Sequence, residues 1–429
     1  MADIRAFRGF RYDLGRAGPL SDLVAPPYDV VDPALQRALY DKSPYNAIRL
    51  ELPADEPGDT PTRNRYTRAA QALSGWVDDH ILQRDTLRTL YVVEQEFAVE
   101  GTTYRRRGFI ARVRLERFGA GRIFPHEETM SGPKEDRLAL ARATGMNVSP
   151  IFGLYPDPDN IVFGRLDSQL RRTLPLESRD HLGVISRLWP VTDEHVVGSV
   201  VSGMSDRSVF IADGHHRYET GLRYLEEARA AGVVANDEAP ANFVMMMLVS
   251  MSDTGLVILP THRLVTGLPG LTADRLSAVL SPHFALERVA SARDAWEAIE
   301  LDGSQAMLGF HTKADGAWLT ARFTNPALMA DLAPDHSGDW RELAVSVLHA
   351  AVLGKLLPGP AAKCRYVHLL GEVEEGVAAG GCDLAALVPP ATMGHIERIA
   401  GRHEKMPAKS TYFYPKLLTG LVFNSLKTN

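Results

Sequence analysis

Apolar residues recur along this chain at two spacings, one helical and one extended. Ala69, Leu73, Trp76, Val77 and Ile81 keep helical intervals and predict a helix with a single apolar face. Leu90–Val99 and Phe109–Leu115 read as strands. In the second, Phe109, Ala111, Val113 and Leu115 alternate with Arg112, Arg114 and Glu116, which predicts one buried and one wet face, with Glu100-Gly101 as the turn between the strands. A further helix is expected from Pro133 to just before Gly145, proline suiting a first turn and glycine a terminus. Ser208–Ala212 reads as a short buried strand that stops at Asp213-Gly214, and Tyr218, Leu222, Leu225 and Ala228 form a helical stripe behind it. Phe243–Val249 and Leu256–Leu259 are two more apolar strands, the latter ending at Pro260.

From about Thr272 the pattern changes. Two short helical segments precede a hairpin of Ala306–Phe310 and Trp318–Phe323 turning at Asp315-Gly316. A helix around Arg341–Leu353 and a strand near Tyr366–Leu370 follow, as expected of a smaller inserted α/β domain. The last thirty residues read as loop and site rather than packing. Leu52–Pro61, Leu268–Thr272 and Leu357–Ala361 are rich in proline and glycine and are candidate joints.

At 429 residues the chain is long enough for two or three domains. Its 45% hydrophobic and 23% charged residues are globular proportions, which exclude a disordered or fibrous protein. A net charge of −6 offers no surplus to neutralise a phosphate backbone, so no nucleic-acid partner is expected. The two cysteines, Cys364 and Cys382, make neither a metal pair nor a disulfide framework. Met1–Phe10 has arginines and an acid in place of an apolar core, and Phe243–Met251 falls far short of the roughly 20 residues that span a bilayer. The expectation is a cytoplasmic protein with no membrane partner. Composition is silent on oligomeric state.

Three polar motifs carry the candidate chemistry. In Phe210-Ile211-Ala212-Asp213-Gly214-His215-His216-Arg217 a strand stops at glycine and feeds a helix, leaving backbone N–H groups outward for an anion. His215, His216 and Arg217 add donors, and Asp213 is placed either to hold a metal or orient a hydroxyl, or simply to cap the turn. Pro125-His126-Glu127-Glu128-Thr129 sets two carboxylates beside a histidine, a pattern for a general base or metal ligand, or else for a solvated loop that caps the next helix. Lys405-Met406-Pro407-Ala408-Lys409-Ser410-Thr411 puts a lysine beside two hydroxyls, a phosphate clamp or an ordinary tail; no Walker glycine loop precedes it. Val24–Val30 can present Tyr28 and Asp29 to a pocket, or serve as a connector. Pro260-Thr261-His262-Arg263 is a weaker signal at a strand end. Of the 14 histidines, none falls in a His-Glu-x-x-His pattern, and the adjacent pair His215-His216 points apart, so a catalytic zinc is not expected. A Gly-x-Ser-x-Gly elbow is absent too.

Across nearly its whole length the chain resembles the domain of unknown function 1015 family, through Leu23–Val31, Pro125–Arg142, Asn147–Tyr155, Phe210–Thr220, Leu259–Leu264 and Met406–Val422. That name carries no function. More narrowly, the motifs resemble those of the archaeal free-serine kinases of the ParB/sulfiredoxin-like superfamily. Those proteins carry Pro-His-Glu, Asp-Gly-His-His-Arg and Pro-Lys-Thr-Thr in the same order; here the third is a partial match.

The resemblance implies phosphorylation of free L-serine to O-phosphoserine, with Mg2+ and ATP or ADP as donor. Its implied catalytic set is Glu127, as base, with Asp213 and His216. Gly214, His215, Arg217, Lys409, Ser410 and Thr411 would bind nucleotide or phosphate; His126, Tyr28 and Asp29 are candidates for substrate contact from their own motifs. Metal ligands are left unassigned. The expected fold is α+β: an N-terminal α/β region over 1–104, a ParB/sulfiredoxin-like core over 105–265 plus 396–429, and an inserted α/β domain over 266–395. The N-terminal region, the insertion and the 85 residues between Glu127 and Asp213 depart from the compact archaeal pattern. A ParB-like nucleotide-binding regulator and a metal-dependent phosphoesterase are the competing readings.

Overall fold

A computed structural model describes residues 2–128, 131–357 and 363–427. Thr129 of the second motif and residues 358–361 of the last candidate joint lie outside the described residues. The fold is mixed α and β with several sheets, divided into two units. The first comprises residues 1–125, 129–256 and 415–429; the second comprises 126–128 and 257–414.

The first unit is organised by the expected hairpin. With β1 at Ile4–Arg5, its strands are β2 (Leu90–Val99) and β3 (Thr102–Arg114). Glu100 and Gly101 turn between them at φ of 49° and 82°, the positive pair that a two-residue hairpin of matching twist requires. The sheet adds β4 (Ile123–Pro125), β5 (Ile151–Tyr155), β6 (Leu176–Arg179), β7 (Ile185–Val191), β8 (Val209–Asp213) and β9 (Phe243–Ser250). Strand order is β4-β8-β5-β9-β3-β2-β7-β6, with β1 beside the end of β3. Pairs β4–β8 and β5–β9 are parallel, the others antiparallel.

One face of this sheet buries Val92, Phe109, Ala111, Val113, Met246 and Leu248 with Met204 and Tyr218. The opposite face was expected to be wet and is covered instead. Tyr91, Ile110 and Met247, aligned across three strands, are at most 1% exposed. The cover is the C-terminal segment: Arg112 donates to Asn424 at 2.6 Å, and Arg106 to the Pro415 carbonyl at 2.5 Å. Leu417, Leu418, Leu421, Val422 and Phe423 are buried there, so much of the segment read as loop is core.

The second unit holds β10 (Val257–Leu259), β11 (His262–Thr266), β12 (Phe284–Val289), β13 (Met307–Thr312), β14 (Ala317–Phe323), β15 (Lys363–Val367), β16 (Leu384–Leu387) and β17 (Tyr412–Tyr414). Six form an antiparallel sheet in the order β12-β14-β13-β16-β11-β15, while β10 pairs with β17. Helices Ala292–Asp302 and Leu370–Ala378 pack Ala295, Ile299 and Val373 onto Leu264, Ala385 and Leu387.

These limits differ from the divisions expected at 104, 265 and 395. β3 runs through residue 104 and pairs with β2 from Thr102 to Ile110, so no joint falls there. The strand expected to reach Leu370 ends at Val367, because the Glu372 carboxylate takes the His368 and Leu369 amides at 2.7 and 2.8 Å and starts a helix. The helix expected around 341–353 is Gly338–Glu342, then Ala344–Ser346 running into a π-helix over Val347–Leu356. A Cβ on Gly354 would lie 2.9 Å from the His349 carbonyl, five residues back, so that wider turn is open to glycine.

Candidate functional site

In the first unit the strand–turn–helix forms as the sequence predicts. β8 ends at Asp213, Gly214 sits at φ +90°, and a 16-residue helix begins at His215. Glycine is needed twice over: for that left-handed backbone, and because an added Cβ would lie 2.9 Å from Arg217 Nε. Arg217 folds over the turn. Its Nη2 donates to Asp213 Oδ2 at 2.6 Å and its Nη1 to the Pro150 carbonyl at 2.6 Å. Lys416 Nζ donates to the other oxygen, Oδ1. Asp213 thus joins two cations rather than capping the helix.

Burial alone would raise the Asp213 carboxyl, but Lys416, Arg217 and then His215 hold it well below the usual carboxylate range. Burial opposes the Arg217 charge in turn, yet Asp213, Glu51, Asp29 and Tyr28 raise its pKa above the ordinary value. His215 is buried and His216 half-buried.

Tyr28 and Asp29 open a short 3-10 turn in the same cluster. The Arg137 guanidinium lies 4.2 Å over the Tyr28 ring. Burial and then Asp29 raise the Tyr28 phenol, against Arg217 and Arg137. The Tyr28 amide donates to Glu51 Oε1 at 3.2 Å. Arg137 and Lys416 fall in the stretches Pro125–Arg142 and Met406–Val422 that carry the family resemblance but take no role from the sequence; Glu51, in the short mixed segment Ile48–Glu51, gives no such signal.

The second unit collects the other two motifs. Glu127 bridges Met406 in parallel, and the Met406 amide donates to the His126 carbonyl at 2.7 Å. The Glu127 carboxylate accepts from the backbone N–H of Lys409, which is held at φ +61°. Buried His126 meets the Thr411 hydroxyl at 2.8 Å, and Ser410 donates to the Pro407 carbonyl at 2.5 Å. Of the two adjacent carboxylates, Glu127 therefore faces the loop, while Glu128 is exposed.

Arg263, 1% exposed, supports this loop from below: Nη2 donates to the Lys409 carbonyl at 2.8 Å and Nε to His349 Nε2 at 3.3 Å. Burial pulls Arg263 down to about 10, against Tyr366, Cys364 and Glu127. Burial and then Arg263 push His349 down to about 4, so its imidazole is a neutral acceptor.

The structure thus brings Tyr28, Asp29, Asp213, Gly214, His215, His216 and Arg217 into the first unit. His126, Glu127, Lys409, Ser410 and Thr411 belong to the second. Among the described residues no group of three or more His, Cys, Asp or Glu could hold a metal ion. Both oxygens of Asp213 already carry a cation. With both oxygens engaged, Asp213 does not present a free carboxylate to Mg2+. No helix among the described residues is long and apolar enough to cross a membrane.

Residues 4–345 match the family model described as Protein of unknown function (DUF1015), and the chain belongs to that family. No curated protein matches the sequence. Among solved structures, a free serine kinase variant in complex with AMP aligns at 10% identity and a TM-score of 0.35, covering 68% of this chain and 84% of that one. A conserved hypothetical protein from Pyrococcus furiosus aligns at 11% and 0.34, covering 69% and 89%. SbnI with a C-terminal truncation, from Staphylococcus aureus, aligns at 12% and 0.35, covering 73% and 86%. All three scores fall below 0.5.

Proposed function

We propose that this protein is a nucleotide-dependent phosphotransferase that phosphorylates the hydroxyl of free L-serine, built on a ParB/sulfiredoxin-like core. The observation that carries the reading is the Gly214 turn. There a long helix begins, and a carboxylate holds Arg217 and Lys416 beside it. Helix amides and fixed cations favour the charge of a phosphoryl group.

Gly214, His215 and Arg217 contact phosphate, and Asp213 orients the two cations. His216 donates to the phosphoryl group in transfer. Lys409, Ser410 and Thr411 contact the nucleotide, while His126, Tyr28 and Asp29 contact substrate. The seryl oxygen attacks the terminal phosphorus of ATP or ADP, and a new O–P bond forms as the bond to the leaving nucleotide breaks. Glu127 takes the hydroxyl proton. Positioned proton acceptors are worth about 10²–10⁴-fold.

The test is to incubate the protein with Mg2+, ATP or ADP and an amino-acid pool, and to identify phosphorylated product by mass. Glu127→Gln keeps an oxygen that can accept the Lys409 amide but loses the base. It is expected to fold and to lose about 10²-fold or more in kcat; full activity would refute the base. A second reading, a nucleotide-binding regulator, is favoured by the bonds that Glu127, Ser410 and Thr411 already make within the second unit. Nucleotide binding with no product from any acceptor would select it.

A further inference from the structure

In the first unit a small cavity of about 50 Å³ lies between Glu51, Arg137, Ser149 and Arg217. Glu51 is fully buried. Its Oε1 accepts from the Tyr28 amide at 3.2 Å and the Ser149 hydroxyl at 3.3 Å, and lies 3.6 Å from Arg137 Nη1. Its Oε2, equally buried, has no hydrogen-bond partner among the described residues. Arg217 lines the same cavity, and its Nε is a buried donor that also lacks a partner among the described residues, although both terminal nitrogens are engaged. A buried polar atom without a partner costs about 1–3 kcal/mol, and more when charged. Two such atoms of opposite sense, on residues that line one cavity, call for an occupant that offers a donor to the carboxylate and an acceptor to the guanidinium.

The surrounding charges narrow the choice. Glu51, Asp136 and Asp213 balance Arg137, Arg217 and Lys416, so these paired groups carry no net charge. A lone anion would leave Oε2 unsatisfied, and a lone cation would leave Nε unsatisfied. A group with both charges satisfies each and adds no net charge. We infer that this cavity is the recognition site for the head group of a free α-amino acid, its ammonium on Glu51 and its carboxylate on Arg217 Nε. The inference rests on the kinase reading, for which it names the residues that select the acceptor. A site that hydrogen-bonds a polar group strongly rejects analogues lacking it.

Calorimetry on the full chain with nucleotide present, using L-serine, glycerate (hydroxyl for ammonium) and ethanolamine (no carboxylate), tests this without depending on turnover. Serine is expected to bind about tenfold or more tightly than either analogue. Glu51→Gln should remove the preference over glycerate. Should that variant fail to fold, Ala141→Leu decides, because it fills the cavity and leaves the Glu51 bonds in place; it should abolish serine binding. Equal affinity for serine and glycerate, binding of none of the three, or an unchanged preference in a folded variant would overturn the inference and leave the cavity to water. Selective serine binding without phosphoserine would refute the kinase reading alone. Phosphorylation of serine and glycerate with equal efficiency would refute the head-group site alone.

Discussion

Gly214→Ala puts two separable costs at one position. The left-handed backbone at φ +90° disfavours any Cβ by roughly 1–2 kcal/mol. The new methyl would also lie 2.9–3.0 Å from the Arg217 guanidinium, which must move. Moving it weakens two hydrogen bonds of 2.6 Å, to Asp213 and to the Pro150 carbonyl. A hydrogen bond to a charged group contributes about 1.5–3 kcal/mol. If one of the two is lost, the total is about 2.5–5 kcal/mol. Because the chain forms two units, a global melting curve would blur the effect. Hydrogen exchange of residues 209–230 reads the local opening energy instead. The same substitution in an Arg217→Met background should cost only the backbone share, so the double-mutant cycle should show a coupling of about 1.5–3 kcal/mol. A loss below about 1 kcal/mol, or an equal loss in both backgrounds, would refute this account of the turn.

Three further outcomes can be measured. Lys416→Met removes one of the two cations on Asp213, so the depressed carboxyl moves up towards its ordinary pKa of about 3.9. Stability from that depressed group is present above about pH 4 and lost as pH falls; the acid limb of urea unfolding should therefore shift to higher pH in the variant, and an unmoved limb would contradict the pairing. His349 titrates near 6.5 when unfolded and at about 4 when folded. Its contribution is complete above pH 6.5 and declines as pH falls towards 4, a slope that His349→Gln should flatten and that an unaltered profile would disprove. Gly354→Ala should destabilise the second unit or convert its π-turn, seen as faster exchange over 347–356, since the added Cβ meets the His349 carbonyl at 2.9 Å.

Local pattern made much of the fold legible. The hairpin of β2 and β3 follows from alternation plus Glu100-Gly101, and the β8 turn from an apolar run stopped by Asp213-Gly214; each is decided by neighbours in sequence. What sequence could not show depends on distant partners. Arg112 reads as a wet-face residue until Asn424 and Ser425 arrive to cover it. Leu417 and Phe423 belong to an apolar-rich stretch broken by Thr419-Gly420, and where it is buried depends on a sheet face formed some 300 residues earlier. The site divides likewise. Asp213, Gly214 and Arg217 announce themselves as a motif, whereas Glu51 acquires chemical meaning only through burial beside Ser149 and Arg137. The stop at Val367 turns on one capping carboxylate, Glu372, a contact four residues away that apolar spacing does not register.

The covering of that sheet face has a consequence for how the chain is made. A ribosome must deliver all of residues 257–414 before Pro415 and its successors can return to the first unit. Until then Ile110 and Met247 lack that cover, and Asp213 lacks its lysine. A nascent chain therefore passes through a stage with an apolar sheet surface open to chaperones, and the Gly214 turn acquires its lysine only after the second unit has been made.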